Sequence, residues 1–457
     1  MDNTGKTELF ETSPIPKAVL TLSIPLVISS LVMMIYNLAD TYFVGLLNDS
    51  IQTAAVTLAS PVLLAFNAVN NLFGVGGSSM MSRALGKRDY ETVKKSAAVS
   101  FYCALLFGVV FSVLYTAFRS PLLTVLGADS DTLESTSRYL MWTTTCGAAP
   151  AILNVVMGQI VRSEGDSLHA SIGIISGCVL NIILDPLFIL PSGLNMGAAG
   201  AGCATFLSNC VACIYFFLLI FIKKKKNTTY IAVNPRLLAG SKEILSGICA
   251  VCIPAAIQNL LNVTGMTVLN NFMSAYGSDA VAAIGIAQKV NMIPLYVAMG
   301  MGQGIMPLIG YNYSSGNGKR MKQALRFTLI LVMIFMLAIM AVFLAGAPGI
   351  IRLFMESETV VLYGSSFLRG MCIAQPFLCI DFLAVGVFQA CGMGRKSLIF
   401  AIMRKIVLEI PALIILNKLF PMYGLAYAQF CAEFVLAIIA AVVLLRLFRK
   451  LDQEQGQ

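Results

Sequence analysis

Residues 18–47 read AVLTLSIPLVISSLVMMIYNLADTYFVGLL, and Asp40 is the only charged side chain in the run. A helix needs about 20 mostly apolar residues to cross the hydrocarbon of a bilayer, so this stretch is long enough to span by itself. It does not alternate polar with apolar positions as a barrel strand does. Backbone groups in lipid must then be satisfied within the segment, which makes it a helix. Comparable runs follow near 51–82, 96–118, 135–161, 168–190, 197–222, 243–276, 279–313, 327–347, 360–392, 396–418 and 422–445. The whole chain of 457 residues agrees, with 58% hydrophobic and 12% charged residues and a mean hydropathy of +0.83. A soluble domain carries about twice that charged share. The fold class predicted is an all-α integral membrane protein, twelve transmembrane helices in two pseudo-symmetric six-helix bundles.

The charges between the runs set an orientation. With the N-terminus in the cytoplasm, 25 of the 31 basic residues, from Lys6 and Lys17 to Arg404, Lys405 and Lys450, fall on the inner side. Only Arg119, Arg138, Arg352, Arg369 and Lys418 fall outside, and Lys289 lies within a span. The positive-inside rule places both termini in the cytoplasm, and the net charge of +9 follows from that bias. Lys223–Lys226 then reads as a topology signal in contact with anionic membrane lipids, and nucleic acid is not expected as a partner. The first apolar run follows an N-terminus of mixed charge and spans unaided, so no removable signal peptide is expected.

Compared with itself at an offset near 230 residues, the chain repeats. Ile24-Pro25 returns as Ile253-Pro254, Gly74 and Gly76 as Gly302 and Gly304, and Gly86-Lys87-Arg88 as Gly318-Lys319-Arg320. Gln159 returns as Gln389, Ser167-Leu168 as Ser397-Leu398, and Pro191 as Pro421. The unit is six helices, an even number, so both copies enter the membrane in the same sense, as parallel repeats do. The expected division is an N-terminal six-helix lobe, 1–222, a basic cytoplasmic linker, 223–242, and a C-terminal six-helix lobe, 243–457. Two such lobes rocking about a central cavity suit alternating access better than a narrow pore does.

Ionisable residues inside spans are costly and mark functional sites. The in-span acids are Asp40, Asp185, Asp381, Glu409 and Glu433. Asp40 lies about seven residues from the outer end of span one, on the order of 10 Å at the helical rise. Asp185 lies at a similar level of span five, Asn181 shares its face one turn earlier, and Asn37 shares the face of Asp40. Span six brings Thr205 to the same depth. These oxygens suit a hard cation, and a carboxylate pair at low dielectric is equally suited to taking up a proton. In the second half, Leu269 and Ile415 stand where Asp40 and Asp185 do in the first, so the cation site is expected to be one-sided. Lys289 and Asp381 lie deeper, either as an ion pair or as a polar lining of a substrate cavity.

Pro25 removes a backbone hydrogen bond early in span one and is the expected hinge. Gly74, Gly76 and Gly77 permit close helix approach and are not a phosphate loop, because no Lys-Ser/Thr follows in register. Met33, Met34, Tyr36 and Phe66 are candidates for a compliant cavity wall. The twelve cysteines are scattered packing residues, and His169 has no neighbours that would build a catalytic or metal site.

Asn37-x-x-Asp40-x-x-x-Val44-Gly45, Arg162-Ser163-Glu164-Gly165-Asp166, Asn181-x-x-x-Asp185-Pro186 and Gly197-Ala198-Ala199 leading to Ala204-Thr205 are joined in the second half by Gln303-x-x-x-Pro307-x-x-Gly310-Tyr311-Asn312. Across nearly the whole chain this set resembles the multidrug and toxic compound extrusion (MATE) family, in its bacterial branch related to DinF. The resemblance implies a cofactor-free antiporter of the bacterial cytoplasmic membrane, a monomer, exporting chemically diverse and often cationic small organic compounds against Na⁺ or H⁺. It implies a cation, Na⁺ if sodium-coupled, at Asp40, Asn181, Asp185 and Thr205, with Pro25 as the bending point. Asp381 matches an acid that some relatives use in the tenth helix. Gln258, Asn259 and Asn262 stand where those relatives carry a seventh-helix carboxylate, which favours the N-terminal half as the cation site. A flippase for a lipid-linked precursor and a non-transporting membrane sensor are the alternative functions.

Overall fold

The structure is a computed structural model, and it describes residues 4–47, 49–125, 131–355 and 357–455. After a short helix, Thr4–Glu11, the described residues build twelve long helical segments. They are α1 (Ile15–Gly45), α2 (Ser50–Gly86), α3 (Tyr90–Val125), α4 (Thr132–Cys146 with Ala148–Ser163), α5 (Ser167–Ile189) and α6 (Ala198–Lys225). The second set is α7 (Lys242–Ser274), α8 (Ser278–Ser314), α9 (Gly318–Arg352), α10 (Glu358–Cys372 with Gln375–Ala390), α11 (394–419) and α12 (Tyr423–Gln453). Among the described residues, eight of these are long and apolar enough to cross a membrane unaided. The pairs forming α4 and α10, bent by 49° and 45°, each count as one more. Within α11, a π-helical turn at Met403–Glu409 carries Arg404, Lys405 and Glu409, which is why that segment is not plainly apolar.

Packing divides the chain into two compact units. The first holds residues up to Glu11 together with Ile28–Ala256, the second Thr12–Val27 together with Ile257–Gln457. Each boundary inside a helix falls just beyond a proline, Pro25 in α1 and Pro254 in α7, the pair that the repeat relates. A proline leaves the carbonyl one turn earlier without its helical donor, so the helix is weakest where the chain changes unit.

The repeated glycines receive the exchanged half-helices. In the first unit, a Cβ on Gly76 of α2 would lie 2.6 Å from the carbonyl oxygen of Ile248 in α7. In the second, a Cβ on Gly304 of α8 would lie 2.6 Å from Cα of Ser23 in α1. Only a residue without a side chain lets the two backbones approach that closely. Apolar layers complete each unit. Val44, Ala55, Ala59, Tyr139, Ile189 and Ala201 pack together in the first, and Met273, Ile284, Phe343, Phe367 and Leu425 in the second.

At the start of α5, Asp166 accepts from the backbone N–H of His169, and its carboxylate also bonds His169 Nδ1 at 2.8 Å and Lys223 Nζ. Burial opposes its ionisation, but the Lys223 ammonium and His169 outweigh that and hold the carboxyl below the usual carboxylate range. Glu164 beside it accepts from the Tyr230 backbone N–H and the Thr229 hydroxyl, each at 2.6 Å, and so docks the segment after α6.

Candidate ion-binding site

Within the first unit, α1, α4, α5 and α6 bring one set of oxygens together. Asp185 and Asn181 are fully buried on neighbouring turns of α5. With the Asn181 amide turned so that both its ends find partners, Nδ2 donates to Asp185 Oδ2 at 2.9 Å and Oδ1 at 3.3 Å. Its oxygen then accepts from the Thr205 hydroxyl at 3.2 Å and the Thr205 backbone N–H at 3.0 Å. Tyr36 closes the far side, its hydroxyl 3.5 Å from Thr205 Oγ1. Asp40, one turn further along α1, presents a buried Oδ1 with no hydrogen-bond partner, and its charge acts directly on Asp185.

A buried carboxylate oxygen without a donor is a costly arrangement unless something positive completes it. Among the described residues, the groups whose charges bear on Asp40 and Asp185 include no base. The partners present are two carboxylates, an amide oxygen and a hydroxyl, which is the donor chemistry of a hard monovalent cation or of a proton shared between acids.

Tyr139 of α4 also belongs to this cluster. It is 4% exposed, and the charges of Asp40 and Asp185 act on its hydroxyl through the intervening protein. A survey of in-span acids passes over it, because a tyrosine between Arg138 and Leu140 reads as a rim residue. Of the remaining expected positions, Asn37 is not brought in: its side chain is exposed and its amide donates to the Met33 carbonyl at 2.9 Å. Met33 and Met34 are half-buried on α1. The side chain of Phe66 lies outside the described residues.

The second unit corrects two expectations. Asp381 does not pair with Lys289, whose side chain is exposed on α8; its partner is Arg404 of α11, Nη1 to Oδ2 at 3.0 Å. Arg404 and Lys405, counted among the basic residues of the inner side, are instead buried in the π-helical turn of α11. Lys405 Nζ donates to both Glu409 oxygens at 2.7 and 2.6 Å, and the second guanidinium nitrogen of Arg404 donates to Asn262 Oδ1. The spacing of Lys405 to Glu409, one helical turn inside an apolar run, is the sequence signal for this pairing. Gln258 is buried and accepts from Gln389 at 3.3 Å, whereas Asn259 is half-exposed.

The MatE family model matches residues 25–187 and again 254–415, one match for each repeat, starting at Pro25 and at Pro254. The chain belongs to that family. It is 34% identical over 450 residues to the multidrug export protein MepA of Staphylococcus aureus (strain MRSA252), covering 98% of this chain and 97% of that protein. It is 33% identical over 448 residues to MepA of Staphylococcus haemolyticus (strain JCSC1435), with the same coverage. Among solved structures, it resembles an outward-facing multidrug resistance MATE family transporter of the MOP superfamily, with a TM-score of 0.93 and 28% identity over 99% of this chain and 100% of that one. As a MatE protein the chain is a multi-pass helical membrane transporter with the family's twelve-helix, two-repeat fold, and not an enzyme.

Proposed function

We propose that this chain is a cation-coupled antiporter that exports chemically diverse, often cationic small organic compounds by alternating access, with Na⁺ or H⁺ exchanged at Asp40 and Asp185. The observation that carries the reading is the buried Asp40 oxygen left without a donor beside Asp185, Asn181 and Thr205. A cation arriving there neutralises two carboxylates at low dielectric. Its departure leaves them to repel, so the two occupancies favour different arrangements of α1 against α5 and α6. Pro25 lies about four turns of α1 away on the same helix, at the weakest point of its hydrogen-bond ladder, and converts that preference into a bend. The lobes that rock are the halves 1–222 and 243–457, apart from the half-helices Thr12–Val27 and 243–256 that belong to the opposite packing unit, with the basic segment 223–242 as their link. Both termini lie in the cytoplasm of a bacterial cell, and the working unit is a monomer. Tyr36, Met33 and Met34 border the space that substrate occupies, their flexible and aromatic side chains accommodating varied shapes.

Efflux of a fluorescent cationic dye from cells expressing the chain tests this. Asp40→Asn and Asp185→Asn are expected to lower efflux by about 100-fold, since a neutral amide neither binds a hard cation as tightly nor exchanges a proton. Efflux at the wild-type rate in either variant, at equal expression, overturns the reading.

A further inference from the structure

Three acids and two bases are enclosed together in the second unit, and their pairing leaves one acid over. Arg404 directs one terminal nitrogen to Asp381 and the other to Asn262. Lys405 is used up by Glu409. Glu433 of α12 is completely buried, neither of its oxygens has a hydrogen-bond partner, and the nearest basic atom is Arg404 Nε at 3.6 Å. Arg404 Nε and Asp381 Oδ1 are themselves buried and without partners, so the loose ends of the network all surround this one carboxyl. The charged groups that bear on Glu433 are Arg404, Lys405 and Glu409 of α11 and Asp381 of α10, and Cys379 of α10 is the nearby thiol. Asn262 supplies the α7 side of the network. Around all of these, α11 is wound as a π-helix over Met403–Glu409. Such turns hold a helix in a less stable register and concentrate at functional sites.

We propose that Glu433 is a proton-exchange site of this transporter, separate from Asp40 and Asp185, with Arg404 as the group that answers its ionisation. When the Glu433 carboxyl releases its proton, the carboxylate that remains draws Arg404 Nε from 3.6 Å into a hydrogen bond. That movement loosens the Arg404 link to Asp381 and shifts the π-helical turn of α11 between α10 and α12. Uptake of the proton reverses it. One proton is bound or released per event and no other bond is made or broken. The site therefore needs no external metal: its cations are built in, and the proton supplies the one positive charge still missing. Its part in the transport cycle rests on the antiport reading above, whereas the existence of the site does not.

Infrared difference spectroscopy of the full chain in lipid nanodiscs, titrated from acid to alkaline pH, reads the carbonyl stretch of protonated carboxyls without any substrate. A titrating band is expected in the wild type and in the Asp40→Asn/Asp185→Asn double variant, and is expected to vanish in Glu433→Gln and to move in Glu433→Asp. Glu433→Gln keeps the shape of the side chain and removes an unpaired acid, so its melting temperature is expected to equal or exceed that of the wild type. A band insensitive to both Glu433 variants, or one lost in Glu433→Gln that does not titrate, overturns the proposal. In proteoliposomes, Glu433→Gln is expected to lower transport driven by a pH gradient by about tenfold, with Glu433→Asp retaining most of it. Undiminished pH-driven transport in Glu433→Gln overturns the transport role. If the wild type moves no substrate under any gradient, the antiport reading fails, and the infrared band still decides Glu433.

Discussion

The two units solve the same problem, acids buried in a membrane, in opposite ways. In the first, Asp40 and Asp185 stand with an amide, hydroxyls and tyrosines, and no base acts on either among the described residues. In the second, Asp381 and Glu409 are met by Arg404 and Lys405, whose charges never leave, and Glu433 is the one acid left without a hydrogen-bond partner. The two repeats thus carry a pair of acids without a base in one and a tethered ion network in the other. Charge that can be exchanged is suited to coupling, and charge that is covalently fixed is suited to holding helices together.

The largest effect that separates the two is expected from Arg404→Met. It strands Asp381 and Glu433 in the second unit and should cost about 3–5 kcal/mol, as removal of one partner from a buried pair does. Thermal melting in detergent measures it, and adding Asp381→Asn should recover more than half of the loss. The corresponding test in the first unit, Asp185→Asn, should leave melting unchanged or raise it, because no base loses a partner there. Equal destabilisation by both would erase the distinction drawn between the units.

A smaller effect tests the symmetry that the units do share. Gly76→Ala and Gly304→Ala each place a Cβ 2.6 Å from the exchanged half-helix and should cost about 1–3 kcal/mol by overpacking. Similar melting losses in the two variants would support equivalent roles for α7 on α2 and α1 on α8. A loss in one alone would show that only one half-helix is held this way.

Backbone and side chains differ in how legible they are from the sequence. The helical membrane fold was legible from apolar length and the repeat from paired glycines and prolines, because both depend on local chemistry. The gathering of Asp40, Asn181, Asp185 and Thr205 at one level was an expectation from helical rise alone. What the sequence concealed was partner choice. Arg404 reads as one more inner-side base until the π-helical turn shows it buried, and Lys289 reads as a partner for Asp381 until its side chain is seen exposed on α8. Tyr139 was invisible for another reason: a neutral hydroxyl carries no burial cost large enough to mark it. The exchange of half-helices at Pro25 and Pro254 is a tertiary fact to which the prolines only point.

Smaller still is the expected effect of Tyr139→Phe. Removing one hydroxyl near Asp40 and Asp185 should weaken cation affinity by about tenfold, or about 1.4 kcal/mol, without altering melting. A titration of cation-dependent tryptophan fluorescence, reported by Trp142 three residues further along, reads it. An unchanged affinity would remove Tyr139 from the site. The least effect lies outside the membrane, at Asp166. Its folded carboxyl is held below the ordinary value of about 3.9, so its contribution to stability is complete above that pH and is lost as pH falls through the folded value. Solvent screening limits it to under about 1 kcal/mol. Asp166→Asn should flatten the acid limb of the melting temperature plotted against pH, and an unchanged limb would show that Lys223 contributes nothing there.

Transport driven by either gradient is expected to depend on Asp40 and Asp185 of the first unit, whatever proton Glu433 exchanges in the second. Reconstitution into proteoliposomes, with sodium and pH gradients imposed one at a time, addresses it directly. At least one gradient should drive substrate uptake or release by the wild type, and Asp40→Asn and Asp185→Asn should respond to neither. Gradient-driven transport that persists at full rate in both variants would contradict the account.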